Sequence, residues 1–257
     1  MSPAVNRGGN GSKPSPEMLV RRAFNYSLLA AALNDPDEAG IAELQALVAA
    51  GGDLAAGTSL AGVAGLAAHA DPEVLVPEYT RLFSLSSSQD CPTFETAFAC
   101  SQPAEQTSLM ADVAGFYRAF GVDTGGNGLR PDDIRVELEF MAYLCRKQLY
   151  AVEHLGAPRV AQVNRAMRMF LGEHLGRWAP GLGRNIAANA NGNAFYAAVG
   201  MGLTLWLEEE FQRLKVTPAN RFEAPLMPLE RPEAEPEDLA LADLAAPLIS
   251  MDEIEVI

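Results

Sequence analysis

The chain has 257 residues, enough for one large domain or two small ones with a substantial core. Its 33 acidic residues outnumber 19 basic ones, a formal charge of −14, which excludes sequence-independent binding to nucleic-acid phosphates and disfavours anionic membranes. The same surface suits a basic peptide partner, although acidity also serves plain solubility. Three cysteines, Cys91, Cys100 and Cys145, leave one unpaired in any intramolecular scheme, so reduced thiols in a cytoplasmic protein are expected.

Residues 1–14 are rich in Gly, Asn and Ser and read as a disordered lead. Ser15 and Pro16 then form a cap and first turn, with Met18, Leu19 and Leu29 at helical spacing. Arg21-Arg22 followed by an apolar run resembles an export leader superficially, but Asn25, Tyr26 and Ser27 interrupt the run. The segment is therefore expected to be the first helix of the folded domain. A second helix is expected over 37–50, stopping at Gly51-Gly52, with a weakly specified Ala/Gly-rich stretch to Ala70. Asp71-Pro72 caps a helix carrying Tyr79, Leu82 and Phe83.

The clearest periodicity lies in the middle. Leu109, Val113, Phe116 and Phe120 mark a helix over 103–120, ending at Gly121. Ile134, Leu138, Met141, Cys145, Leu149 and Val152 mark another over 131–155, with Pro131 in its first turn and Asp132 and Asp133 favouring its N-terminus. Further helices are expected over 158–175 and 193–214. Alternating β-branched runs are absent, so the fold class is all-α, a single-domain helical bundle over 15–217. The longest uncharged stretch, 185–207, has an apolar part of only core-helix length, so no membrane insertion is expected. Residues 218–257 hold ten acids against two arginines, with six prolines, and read as an acidic, mostly disordered tail. Its more apolar piece, 239–246, is either solvated or a short docking helix.

Catalytic patterns fail one after another. Gly8-Gly9-Asn10-Gly11-Ser12-Lys13 lacks the ending of a phosphate loop, and the Gly181-x-Gly183 and Gly200-x-Gly202 pairs lack a third glycine, leaving close packing or loops as their role. The positions three before His69, His154 and His174 are Leu66, Ala151 and Leu171, which excludes a di-iron bundle motif, and no zinc spacing exists. The three histidines read as surface or half-buried residues. Cys91 beside Pro92 reads as a structural loop thiol rather than a nucleophile. Glu137 and Glu139 point about 200° apart on one helix and cannot act together, while Glu137 with Asp133 is a same-face pair that a solvated helix N-terminus explains equally well. No enzyme activity, metal or cofactor is expected.

What remains is a set of motifs. Glu78-Tyr79-Thr80-Arg81-Leu82-Phe83 precedes Cys91-Pro92-Thr93-Phe94-Glu95-Thr96, and Pro131-Asp132-Asp133 opens Glu137-Leu138-Glu139-Phe140-Met141. Phe170-Leu171, His174-Leu175, Trp178 and Pro180 complete a longer signature, followed by Phe195-Tyr196. Their order and spacing resemble the TorD/DmsD/NarJ family of molybdoenzyme maturation chaperones, from the first helix to about Leu214. Asp133 stands where the family usually has His, which makes the mouth of the expected groove more acidic, and Thr93 replaces a second Pro.

The resemblance implies a cytoplasmic, system-specific chaperone without a cofactor of its own. It would bind the apo catalytic subunit of a DMSO-reductase-family molybdoenzyme, with its twin-arginine leader, for molybdopterin insertion before export. The candidate client-binding residues are Phe83, Pro92, Phe94, Glu95, Pro131, Asp132, Asp133, Glu137 and Trp178. On this reading the acids meet leader arginines and Phe83, Phe94 and Trp178 receive apolar side chains, core packing being the other role open to each aromatic. A small-ligand-binding helical protein, or an adaptor acting through its acidic tail, is the alternative. A monomer or a segment-swapped dimer fits equally.

Overall fold

Helical periodicity and capping residues determine where each element begins. The computed structural model describes residues 14–84, 90–122 and 128–226. The expectations for the lead up to residue 13, for most of the acidic tail and for a helix over 239–246 lie outside the described residues.

Ser15 Oγ accepts from the Met18 amide at 3.2 Å and opens α1, Pro16–Ala32. Asp37 opens α2, Glu38–Gly51, through the Gly40 amide at 2.7 Å. The Ala/Gly-rich stretch is better ordered than its composition suggests. It forms a 3₁₀ turn, Gly52–Ala55, and a short α3, Ala61–Ala67, that buries Val63, Ala64 and Ala67. Asp71 caps α4, Pro72–Phe83. A one-turn α5, Thr96–Ala99, leads to α6, Pro103–Ala119.

The next helix starts later than Pro131. Asp133 is its cap, accepting from the Arg135 amide at 2.9 Å, and α7 runs Ile134–Tyr150 before a π-helical turn, Ala151–Leu155. A cap takes its side chain out of the helix to hold the first free amides, so Pro131 and Asp132 are left in the preceding turn. After α8, Ala157–Phe170, a second π-helical turn, Leu171–Leu175, continues into α9, Gly176–Asn189. That helix was not expected, because Pro180 and three glycines weaken it as an isolated segment. Packing stabilises it against α10, Ala194–Leu214. A Cβ on Gly183 would sit 2.7 Å from the Gly200 carbonyl oxygen, so the two backbones touch where glycine alone fits. The expectation of close packing at these glycines is met.

Among the described residues there is no strand, and one isolated antiparallel bridge joins Phe94 to Asp133. All described residues belong to one compact unit that ends at Leu226, in keeping with an all-α single domain. The first part of the expected tail is bonded to that body. Phe222 donates to the Arg177 carbonyl at 2.7 Å and Leu226 to the Ala97 carbonyl at 2.9 Å. Its Phe222 ring lies 4.8 Å under the Arg177 guanidinium.

At the centre, α1 packs along α7, and Arg22 of the leader-like pair is buried. Its guanidinium grips Glu210 of α10 at 2.6–3.0 Å, and Tyr26 donates to the same carboxylate at 3.0 Å. Asn25 and Tyr26, read as interruptions of an apolar run, are both fully buried core residues. No described helix is long and apolar enough to cross a membrane.

Candidate functional site

The motifs separated by about forty residues in sequence meet around the Phe94–Asp133 bridge. The Glu95 amide donates to the Asp132 carbonyl at 2.9 Å, and the Ile134 amide to the Thr93 carbonyl at 2.8 Å. Each aspartate then takes its own arginine. Asp132 accepts from Arg130 Nε at 2.9 Å, and from the Thr96 amide and hydroxyl at 3.1 and 2.8 Å. Asp133 accepts from Arg135 through two nitrogens, both at 2.8 Å. Arg130 also lies over the Phe94 ring, 4.4 Å from its centroid. Tyr117 of α6 donates its hydroxyl to the Pro131 carbonyl at 2.7 Å.

Behind this knot sits a second layer. Glu95 Oε2 is 3.1 Å from His174 Nδ1, and Glu137 Oε2 accepts from Trp178 Nε1 at 3.3 Å. The π-helical turn adds a residue to the helix at Leu171–Leu175 and thereby turns both His174 and Trp178 inward. Glu137 Oε1 and Glu95 Oε1 are buried with no protein partner. Burial, then the charges of Glu95, Asp132 and Asp133, push the Glu137 carboxyl well above the usual range despite the Trp178 hydrogen bond. Burial foremost, then Glu137, likewise raises the Tyr117 hydroxyl.

Several sequence expectations change here. Glu95, Asp132 and Glu137 are fully buried and Asp133 is 5% exposed, so in this conformation none offers an open carboxylate to a guest. The Glu137–Asp133 pair is not a solvated helix end, and Arg135 neutralises the extra acidity expected from Asp133. His174 is 3% exposed rather than superficial, whereas His69 and His154 are exposed. Trp178 is fully buried against Phe98, with Pro92 also buried, while Phe94 and Pro131 are half-buried. Phe83 stands apart from the knot, half-buried between Tyr79 and Tyr196. Sequence reasoning missed Thr96, Tyr117, Arg130, Arg135 and His174 as members of the site. Cys91 is a buried thiol pushed up to about 12, chiefly by burial, which fits the structural reading.

Beside the knot, between α1, α2 and α7, lies a cleft of about 850 Å³. Ala30, Ala31, Leu47, Val136, Phe140 and Tyr143 give it an apolar lining. Arg135 and Tyr117 belong both to its wall and to the knot, so the signature residues fix the shape of one side of the cleft. Among the described residues no cluster of His, Cys, Asp and Glu is arranged to hold a metal ion.

Comparison with known proteins identifies the family. A family model described as nitrate reductase delta subunit matches residues 28–183, more than half of the chain and most of the knot. A perchlorate reductase assembly chaperone protein from Dechloromonas aromatica (strain RCB) is 35% identical over 102 residues, 39% of this chain. The match spans 44% of that relative, less than half of its length. A crystal structure of a redox enzyme maturation protein from Archaeoglobus fulgidus is 24% identical, covering 65% of this chain and 99% of that one, with a TM-score of 0.38. The chain belongs to the nitrate reductase delta subunit family, of the NarJ/TorD type that its motifs resemble.

Proposed function

We propose that this protein is a cytoplasmic assembly chaperone. It binds the apo catalytic subunit of a DMSO-reductase-family molybdoenzyme, including its basic-then-apolar leader, and holds it for molybdopterin insertion before export. It binds rather than turns over its client and carries no cofactor. The observation that carries this reading is the apolar cleft whose wall is pinned to the signature knot. Concave apolar surfaces with a few convergent polar groups are where proteins take up ligands and peptide segments. Family membership and the assembly role of the Dechloromonas relative support the same reading.

On this proposal the candidate residues divide in two. Phe83, Phe94 and Pro131 are half-buried and lie outside the cleft lining, so on this reading they meet parts of the client beyond the cleft. Pro92, Glu95, Asp132, Asp133, Glu137 and Trp178 are buried and hold the contact surface from behind. A small-ligand-binding protein would need a bound small molecule or a buried, shifted titratable group in a pocket. Glu137 is such a group but does not line the cleft, whereas Tyr117 and Arg135, which are shifted and do line it, are tied to the Pro131 carbonyl and to Asp133. The test is to remove this chain from the source cells, purify the molybdoenzyme catalytic subunit and assay its molybdenum and pterin. A subunit depleted of both supports the proposal; a fully loaded, active subunit overturns it.

A further inference from the structure

Residues 218–226 form a non-helical strap that lies across α9. Asn220, at φ 51°, turns the chain there in the left-handed region, which asparagine enters more readily than most residues. Under the strap run Arg177, Gly181 and Arg184, spaced i, i+4 and i+7 and therefore on one face of α9. A Cβ on Gly181 would strike the Phe222 carbonyl oxygen and sit 3.1 Å from that of Glu223, and its nearest neighbours all belong to the strap. The glycine is thus the floor of a slot shaped for a crossing backbone. The two arginines are its walls, Arg177 stacking on the Phe222 ring and Arg184 pairing with the Glu223 carboxylate. None of these residues lines the 850 Å³ cleft.

The hold on the strap is light. Pro218 is its one buried residue. The Arg184 and Glu223 side chains are 42% and 65% exposed, and those of Arg221 and Glu208 are 34% and 41% exposed, so solvent screens both pairs to little net worth. Two backbone hydrogen bonds, from Phe222 to Arg177 and from Leu226 to Ala97, add to them. Segments with few buried contacts open locally while the body stays folded. The strap also uses the slot incompletely, because Arg177 Nε is buried with no hydrogen-bond partner among the described residues.

We infer that the Arg177–Gly181–Arg184 slot is a binding site for a non-helical segment of a partner protein carrying an aromatic residue followed by an acid, and that the strap is a resident stand-in which such a segment displaces. The aromatic ring stacks on Arg177 and the acid meets Arg184, as Phe222 and Glu223 do now. A second copy's strap brings no contact that the resident one lacks and has no tether, so it does not win the slot. Displacement frees the carbonyl of Ala97, the residue after Thr96 of the knot. The inference is independent of the client-binding reading and uses other residues.

The test uses the full chain, as wild type and as a double variant, Phe222→Ser with Glu223→Lys, that loosens the strap. The probe is a labelled peptide with the sequence of residues 218–226, and circular dichroism checks the fold of each variant. In fluorescence anisotropy the peptide is expected to bind the double variant about tenfold more tightly than wild type, whose tethered strap competes. Phe222→Ala in the peptide is expected to weaken it about tenfold. Glu223→Lys in the peptide is expected to weaken it about threefold at low salt, and less as salt rises. Adding Gly181→Ala to the double variant fills the floor of the slot while favouring the helix, so peptide binding should be lost at unchanged helicity. A folded double variant that fails to bind the peptide, or binding that survives Gly181→Ala, would overturn the inference.

Hydrogen exchange on wild type tests displacement itself. The Phe222 and Leu226 amides are expected to exchange about a hundredfold faster than amides in the middle of α10. Protection equal to that of α10 would make the strap a fixed part of the body and overturn the inference. A wild-type dimer that the double variant loses would give the slot to a second copy and overturn it as well.

Discussion

The carboxylate of Asp132 gives the sharpest test of the knot as a structural device. Asp132→Ala deletes the acceptor for the Thr96 amide at 3.1 Å, for the Thr96 hydroxyl at 2.8 Å and for Arg130 at 2.9 and 3.0 Å. Arg130 is 41% exposed and returns to water at little cost. Thr96 is fully buried, and a buried donor left without an acceptor costs about 1–3 kcal/mol. Its hydroxyl can rotate whereas its amide is fixed, so the amide dominates. The expected loss is about 3 kcal/mol, a large share of the roughly 5–15 kcal/mol that stabilises a domain. With a urea slope of about 3 kcal/mol/M, the unfolding midpoint should fall by about 1 M. Asp132→Asn keeps one oxygen for Thr96 and sets an amide against Arg130, so about half of that loss is expected. Equilibrium unfolding followed by circular dichroism measures both. An Ala variant within about 0.5 kcal/mol of wild type, or an Asn variant as damaged as Ala, would refute the reasoning.

Three more outcomes follow from the same contacts. Burial raises the Glu137 carboxyl well above the roughly 4.3 it has when unfolded, so between that value and its raised folded value the native state binds more protons. Its contribution therefore falls as pH rises across that window, by up to about 1.4 kcal/mol per pH unit, and Glu137→Gln should flatten the profile; an unchanged profile would contradict the assignment. Glu210→Gln strips the carboxylate from buried Arg22 and Tyr26 and should cost about 3–5 kcal/mol in thermal or urea unfolding, whereas Arg22→Met with Glu210→Leu should recover much of it. Burial pushes the Cys91 and Cys145 thiols up to about 12, so a thiol reagent should label neither in native protein and both after denaturation.

The helical periodicity of α1, α6 and α7 was legible because capping and apolar spacing are local properties. The start of α7 was misplaced because Pro131 suits a first helical turn, yet Asp133 wins as cap by binding the Arg135 amide. Helix α9 was missed because its stability comes from backbone contact between Gly183 and Gly200, which no window over 176–189 contains. The buried state of the acids had a local signal that went unused. Arg130 stands two residues before Asp132 and Arg135 two residues after Asp133, a neutral four-charge cluster and not an acidic mouth. His174 and Trp178 are four residues apart and share a helix face, so an indole-bearing face also carried the histidine. Its contact with Glu95, seventy-nine residues away, depends on the tertiary fold and on the π-helical turn.

The bonded segment 218–226 also changes how the tail is tested. Truncation after Thr217 would strip Phe222 from Arg177 and Leu226 from Ala97, so a deletion aimed at the tail alone starts after Leu226.

The most direct measurement is native mass spectrometry of the intact chain after affinity capture from its source cells. The account predicts a complex with a molybdoenzyme catalytic subunit whose mass lacks molybdopterin. Capture only of cofactor-loaded subunit, or of the bare chain with a small molecule retained, would contradict it.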